Sequence, residues 1–238
     1  MMKKIWNTFL RIFGDIKVYN YPFFLVYDPG SYKIKGKEVR KILEIIKPGD
    51  ILVRGYSNYL DGRFIPGFFS HVGLFVGDTT DIDIKNLKNN TYFYSSSQAV
   101  IHSMAEGVFM EDILDFTRCD YICILRRNIN LEQNIDFDND FKQNVLPNAL
   151  NNLGKGYDFD FDFSDLGNMS CTEFVFDSCK NFIDLYNVKI KKHSMLFLKR
   201  MSIIPDDFIT DKFNIIYTSE KIPTKIIDQI VNRNLKHT

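Results

Sequence analysis

Apolar segments of four to seven residues, separated by turns, dominate the middle of the chain and predict β-strands. The predicted strands span 50–54, 70–76, 91–94, 99–103, 121–126 and 213–218. Apolar residues spaced three or four positions apart predict helices instead, and these span 37–46, 140–153 and 171 to about 186. Pro147 is expected to kink or break the second helix. The pattern predicts an α+β fold with its strands concentrated in the middle.

The two ends of the chain differ from this middle. Residues 1–17 place Ile5, Trp6 and Phe9 on one face at helical spacing, which predicts an amphipathic helix. This helix either packs on its own domain or lies on a membrane surface. Residues 18–36 are aromatic and rich in turns, which predicts an irregular arm. We therefore divide the chain into a helix and arm at 1–40, a central domain at 41–220 and a C-terminal helix and tail at 221–238.

Composition narrows the classes of function. The 30 basic and 30 acidic residues balance, so the net charge gives no reason to expect a nucleic-acid partner. No apolar run approaches the ~20 residues of a membrane-spanning helix, and residues 1–17 are followed by no small-residue cleavage site. We therefore expect a cytoplasmic protein, with peripheral membrane contact through residues 1–17 as the alternative.

The four cysteines show neither CxxC nor zinc-ligand spacing, so the sequence indicates no disulfide framework, metal or cofactor. Cys119 and Cys123 lie in an apolar segment and are expected to pack on the same face of a strand. Cys171 and Cys179 lie two turns apart in a predicted helix, where Cys179 is expected to belong to the core.

Cys171 stands at the predicted start of that helix. Ser170 and Glu173 form the S-x-x-E pattern of a capping box, in which each side chain bonds a free backbone N–H of the other residue. Cys171 is then the first helical residue, where the positive end of the helix dipole favours a thiolate and lowers the pKa of a thiol. The alternative is that Cys171 is an ordinary buried thiol.

His71 begins a predicted strand and is the candidate base for such a thiol. Alternation puts His71 and Gly73 on one face of the strand. The opposite face carries the apolar residues Val72, Leu74 and Val76. Gly73 leaves room beside His71 for the end of a helix or for a substrate. A histidine packed in the core is the alternative.

His102 lies in the next strand-like segment. If the two strands pair, its ring can hold His71 in the correct tautomer and orientation, as the base of an activated thiol requires. A surface or packing role is the alternative. His193 lies in a basic stretch expected at the surface, and His237 lies in the tail.

Seven short pieces follow one another along the chain. They are KPGDIL at 47–52, IPGFFSHVG at 65–73, VIH at 100–102, GV at 107–108, GYD at 156–158, CTEFV at 171–175 and IPDDF at 204–208. Together they resemble the YiiX/YaeF-like proteins, the permuted branch of the NlpC-type papain-like cysteine peptidases. The resemblance covers residues 45–218, and the order and spacing of the pieces are more specific than any single piece.

The resemblance implies a circularly permuted papain-like fold, in which a small antiparallel sheet packs against the nucleophile helix. The histidine strands precede the cysteine helix in the chain, as a permutation requires. By resemblance, Cys171 is the nucleophile and His71 its base. The third polar group of the family can be a carboxylate on the strand after the histidine, and this chain has His102 at the matching place.

The implied chemistry is acyl transfer through a thioacyl intermediate on Cys171. The backbone N–H of Cys171 is expected to stabilise the oxyanion, helped by the Tyr157 hydroxyl unless Tyr157 only packs. The run DFDFDF at 158–163 is expected to form a strand with one solvated face, or an acidic rim that attracts a substrate amine.

Three functions fit these observations. The first is a cysteine amidase or peptidase acting on a small peptide, an amino-acid amide or a cell-wall fragment. The second is a lipid-directed acyltransferase or thioesterase, because lecithin retinol acyltransferase and its relatives use a similar pair of residues in permuted order. The third is a binding module that keeps the pocket without chemistry, and the presence of both Cys171 and His71 counts against it.

Overall fold

The computed structural model describes most of the chain. The described residues are 16–20, 23–27, 32–57, 65–80, 97–128, 137–161, 163–165, 167–183, 187–195 and 198–236. Most of the predicted amphipathic helix, the predicted strand at 91–94 and His237 lie outside these residues, so these calls stay predictions.

A six-stranded antiparallel sheet forms the centre of the molecule, in the spatial order β10-β7-β3-β4-β5-β6. Its strands are β3 (Ile51–Gly55), β4 (His71–Gly77), β5 (Ala99–Met104), β6 (Gly107–Asp112), β7 (Tyr121–Arg127) and β10 (Phe213–Thr218). Five of the six agree with the predicted strands within one or two residues. The strand β6 was not predicted.

Helices cover both faces of this sheet. They are α1 (Gly36–Ile45), α2 (Ile113–Phe116), α3 (Phe137–Asp140 and Leu146–Asn151, joined by a π-helical turn at Phe141–Val145), α4 (Cys171–Ser178), α5 (Lys180–Ile183) and α6 (Thr224–Leu235). The π-helical turn ends two residues before Pro147, which lacks the backbone N–H that would donate a regular helical hydrogen bond. The predicted helix from Cys171 is interrupted at Cys179, whose backbone leaves helical geometry.

The sheet therefore separates two apolar cores. On one face, Val72, Leu74 and Val76 of β4 pack with α3, α4 and α6. On the other face, Phe75 packs with Ile42 of α1 and with α2. The alternation predicted for β4 is confirmed. The predicted boundary at residue 40 falls inside α1, and this helix packs on the sheet. The division into 1–40, 41–220 and 221–238 stays a prediction.

Two hairpins lie outside the large sheet. The strands β1 (Ile16–Asn20) and β2 (Phe23–Tyr27) pair with each other, so the prediction of an irregular arm is wrong for this part. The strands β8 (Lys191–Met195) and β9 (Leu198–Ser202) form the second hairpin. Among the described residues, no helix has the length and apolar character needed to cross a membrane.

Candidate active site

The helix α4 begins as the capping box predicts. The backbone N–H of Ser170 donates to Glu173 Oε2 at 2.6 Å, and the N–H of Glu173 donates to Ser170 Oγ at 3.4 Å. Glu173 Oε1 also accepts the N–H of Phe163 at 2.8 Å. The carboxylate therefore ties the preceding loop to the first turn of the helix, and the assignment of Glu173 as a cap is confirmed.

The thiol of Cys171 is buried at this helix start, with 3% of the residue exposed. Burial raises the pKa of the thiol to about 11, although the backbone N–H groups of Val72 and Thr172 bond to the sulfur and act in the opposite direction. The expectation of a thiolate at rest is therefore wrong. At the first turn the loss of hydration outweighs the helix dipole and the two N–H donors, so the resting group is a neutral thiol.

The thiol meets β4 at its first residues. Its sulfur contacts the N–H of Val72, the residue that directly follows His71. The space beside Gly73 is taken by the end of a helix, one of the two occupants that the sequence predicts, and this helix is α2 rather than α4. A Cβ on Gly73 would lie 2.7 Å from the Phe116 ring, so α2 fills that space. The nucleophile helix thus packs on one face of the sheet and the His71 side chain lies on the other, and the Cys171 sulfur contacts the backbone of β4 at the residue that follows His71.

His71 and His102 form a buried pair on the neighbouring strands β4 and β5, as the sequence predicts. His71 Nε2 lies 2.8 Å from His102 Nδ1, and the rings are nearly perpendicular with centroids 5.0 Å apart. Phe116 packs against both rings, at 5.8 and 5.2 Å. Burial, the charge of Arg54 and His102 lower the pKa of His71 well below its usual value. His71 therefore stays neutral and able to accept a proton.

Two charged residues beside the pair were missed by sequence reasoning. Glu111 Oε1 on β6 lies 2.9 Å from His102 Nε2. Arg54 on β3 donates to the carbonyl of Phe116 at 2.7 Å and lies over that ring at 4.1 Å. Its guanidinium is 3.6 Å from Glu111. A charged residue at an inward position of a predicted strand is the signal that could have identified Arg54, since such a residue needs a buried partner. Glu111 lies on β6, which the sequence analysis did not predict, so this signal was not available for it.

The segment that carries Tyr157 pairs with the segment that leads into Cys171. Gly156 forms a parallel bridge with Asn168, three residues before Cys171. The Tyr157 ring packs against Phe159 and Phe161 at 4.7 and 5.8 Å. This geometry gives Tyr157 a packing role, and its role at the oxyanion stays a prediction. The segment around it is not the expected strand, because Phe161 and Phe163 adopt positive φ angles of 54° and 59° and Asp158 accepts the N–H of Asp160.

Asp206 supports the segment that leads into His71. Its two carboxylate oxygens accept the N–H groups of Phe68 and Phe69 at 2.9 and 2.8 Å. Gly67 has a φ of 121°, and a Cβ there would lie 2.7 Å from the same carboxylate. The IPDDF piece of the sequence is therefore a buried support for the strand that carries the candidate base.

The other three cysteines and His193 make packing or ion-pair contacts away from the candidate pair. Cys179 is buried in the core beside α4, as predicted. Cys119 and Cys123 are both buried but belong to different cores, so the expectation of one shared strand face is wrong; Cys119 precedes β7 rather than lying in it. His193 pairs with Asp207 at 2.8 Å. Within the described ranges, no three histidine, cysteine or acidic side chains are grouped so as to hold a metal ion.

Comparison with protein-family models gives a match. A family model described as permuted papain-like amidase enzyme, YaeF/YiiX, matches residues 45–216, which is most of the chain. The chain belongs to this family. No curated protein matches it. The predicted family and the predicted fold class are confirmed.

Membership of the YaeF/YiiX family makes this protein an enzyme of the papain-like amidase and peptidase type. The matched region starts before β3 and ends within β10, so it contains five strands of the sheet, the first part of β10 and α4. Both histidine strands come before the cysteine helix in the chain, which is the order that the permuted papain-like fold describes.

Proposed function

We propose that this protein is a cysteine hydrolase that cleaves an amide through a thioacyl intermediate on Cys171, with His71 as the base. One observation carries the proposal. The Cys171 thiol lies at a capped helix start on the N–H of Val72, and the preceding residue in the strand is His71, a buried histidine paired with a second histidine. His102 is then a positioning residue for His71.

The first half of the reaction transfers an acyl group. Because His71 Nε2 is engaged with His102, Nδ1 is the ring nitrogen available to the thiol. It takes the thiol proton as the sulfur attacks the carbonyl carbon, and the electron pair of the C=O bond moves to oxygen. The N–H of Cys171 has no acceptor within the helix and suits the resulting oxyanion. Collapse breaks the C–N bond, and His71 returns the proton to the leaving amine.

The second half of the reaction releases the enzyme. His71 Nδ1 takes a proton from a water molecule while the water oxygen attacks the thioester carbon. Collapse of the second tetrahedral intermediate breaks the C–S bond, and the sulfur regains a proton from His71. The products are a carboxylic acid and the amine released earlier. A neutral thiol and a neutral imidazole are the right starting states, because the proton moves only as the carbon–sulfur bond forms.

The substrate class we propose is a small peptide or amino-acid amide. Support comes from the family's description as amidases and from a thiol that is 3% exposed, since a narrow approach favours a short acyl group or an extended chain. The lipid-directed reaction predicted from the amphipathic N-terminus has no support among the described residues and serves as an outcome of the test.

Limiting iodoacetamide followed by intact-mass analysis tests the nucleophile. The variants are Cys171→Ser and, as a matched control, Cys179→Ser at the C-cap of the same helix. We expect one fast adduct in the wild type and in Cys179→Ser, and none in Cys171→Ser. The three other cysteines are expected to react slowly, since burial raises their pKa as it does that of Cys171, and the proposal assigns a base to Cys171 alone. Fast labelling at any of them instead would contradict the assignment.

The same protein is then incubated with dipeptide amides, cell-wall peptides and lipid esters. Turnover or a trapped acyl adduct with the amides, lost in Cys171→Ser, supports the proposal. Turnover restricted to lipid esters would replace it with the lipid-directed function. If Cys171 labels no faster than an ordinary thiol and no substrate is turned over, the chain is a binding module.

A further inference from the structure

We propose that Glu111 is a positioning residue of the site, which selects the tautomers of both histidines so that Nδ1 of His71 is left unprotonated toward the thiol. The inference rests on the proposed roles of Cys171 and His71. It adds a fourth member, on β6, to a group that the sequence limited to Cys171, His71 and His102.

The first step is the contact between Glu111 and His102. Glu111 Oε1 lies 2.9 Å from His102 Nε2, and His102 is fully buried. The oxygen is out of line with a ring N–H, so the contact is an electrostatic pair rather than a well-aligned hydrogen bond. An unprotonated Nε2 would still place two electron-rich atoms against each other at this distance. The proton of a neutral His102 therefore belongs on Nε2.

The second step is the contact between the two rings. With its proton on Nε2, His102 presents a lone pair at Nδ1, and this atom lies 2.8 Å from His71 Nε2. His71 must then donate, so its proton is also on Nε2. The Nδ1 of His71 keeps its lone pair. If His102 took the other tautomer, it would donate to His71, and the proton of a neutral His71 would move to Nδ1, where it would block the base.

The surrounding charges favour an ionised Glu111 carboxylate and a neutral His102 ring. Burial opposes ionisation of Glu111, but His102 and Arg54 outweigh it and lower the pKa of the carboxyl group. Burial and Arg54 lower the pKa of His102, against the opposing effect of Glu111 and Glu106. The groups facing the pair are thus one anion at 2.9 Å, one cation on β3, and the exposed Glu106 on the β5–β6 turn.

A purely structural role is the competing account of Glu111. The carboxylate lies 3.6 Å from Arg54, whose side chain is 4% exposed, and a buried guanidinium needs a compensating charge. That role predicts a loss of stability when Glu111 is replaced, but it predicts no change in histidine tautomer and no change in the reactivity of the folded protein. A tautomer measurement therefore separates the two roles.

The experiment uses the full chain labelled with ¹⁵N at histidine. Two-dimensional NMR spectra that correlate ring nitrogens with ring protons identify the protonated nitrogen of His71 and His102. The proteins compared are the wild type, Glu111→Gln, and Glu106→Gln as a neighbouring carboxylate without the contact. Iodoacetamide labelling of Cys171 is followed from pH 5 to 8 on the same samples.

We expect Nε2–H on both histidines in the wild type and in Glu106→Gln. In Glu111→Gln we expect a mixture of tautomers and a labelling rate lower by about 10- to 100-fold, the usual effect of losing a residue that orients a functional histidine. A wild-type His102 protonated at Nδ1 would overturn the proposal without any variant, even if Glu111→Gln fails to fold. Unchanged tautomers and unchanged labelling in a folded Glu111→Gln would also overturn it.

The failure of the proposed function gives a different result. In that case Cys171 of the wild type labels no faster than an ordinary thiol, while the tautomers of His71 and His102 still respond to Glu111→Gln.

Discussion

The two faces of the sheet around β4 are built from different chemistry. One face carries Val72, Leu74 and Val76 and packs against the apolar stripe of α4, which ends in Cys171. The other face carries Arg54, His71 and His102, with Glu111 beside them, in an otherwise apolar core. The nucleophile and the candidate base therefore come from separate cores, and they are linked where β4 begins, because the Cys171 sulfur contacts the N–H of the residue that follows His71.

This division explains how one site satisfies opposing requirements. A buried thiol needs an apolar helix face to hold it and N–H donors at the helix start, whereas a neutral histidine pair needs polar partners that select its tautomers. If both sets occupied one core, the charges would face the apolar stripe of α4 without partners, which is costly. Each face can also be disturbed separately, and the predictions below use that property.

The largest effect is expected on the histidine face. His71→Ala removes the base, and we expect the rate of Cys171 labelling or of amide turnover to fall by about 10²- to 10⁴-fold. His193→Gln is the matched control, because His193 lies in the β8–β9 hairpin outside the large sheet, where its ring contacts Asp207. Rates are measured by mass spectrometry on samples with unchanged circular dichroism. Equal rates in His71→Ala and His193→Gln would remove His71 from the mechanism.

A smaller effect is expected from filling the space beside His71. Gly73→Ala places a Cβ 2.7 Å from Phe116, the ring that packs on both histidines. Overpacking of this kind costs about 1–3 kcal/mol, and we expect a slower labelling rate as the rings shift. Gly36→Ala is the control, since a Cβ there meets nothing within 4 Å. Urea unfolding checks both, and a Gly73→Ala protein as stable as Gly36→Ala would show that Phe116 moves freely.

The two faces are compared directly by removing one helix cap from each. Ser170→Ala deletes the cap of α4, and Asp112→Ala deletes the cap of α2, where Asp112 accepts the N–H of Leu114 at 2.8 Å. Each change is expected to lower the free energy of unfolding by about 1 kcal/mol. Only Ser170→Ala is expected to change the labelling of Cys171, because it loosens the helix start that holds the thiol. The same labelling rate in both variants would argue against a role for the cap in placing Cys171.

The smallest effect is expected from pH. The pKa of His71 is lowered well below 6.5, so the base form persists as the pH falls toward 6, and the base is lost only below that range. Labelling of Cys171 should therefore vary by only about twofold between pH 8 and pH 6. An unassisted thiol with a pKa of about 11 would instead lose about tenfold in rate per pH unit. That steeper dependence would show that His71 does not act on the thiol.

Much of this protein was predictable from local patterns. Five strands of the sheet, the capping box at Ser170 and Glu173, and the alternation that puts His71 opposite Val72 follow from spacing over a few residues. The prediction of a permuted papain-like enzyme depended on the order of several short pieces, and the family match over residues 45–216 confirms it. The experiments above test the proposed roles of Cys171, His71 and His102, and the oxyanion role of Tyr157 stays a prediction.

Features that depend on surroundings were not predictable in this way. The run DFDFDF has the alternation of a strand, but Asp158 bonds to the backbone of Asp160 and the chain turns. The sequence analysis assigned no role to Glu111, whereas in the fold it is the charged partner of His102. The thiol of Cys171 was expected to ionise, and burial leaves it neutral.

The sequence by itself determined the strands, the helix starts and the residues that can perform the chemistry, because these depend on neighbours within one or two turns of chain. The tertiary structure alone decided the protonation of Cys171, the partners of His102 and the meeting of the two faces at the end of β4. These properties depend on which distant residues exclude water and which charges lie within a few ångströms, and neither is encoded in local spacing.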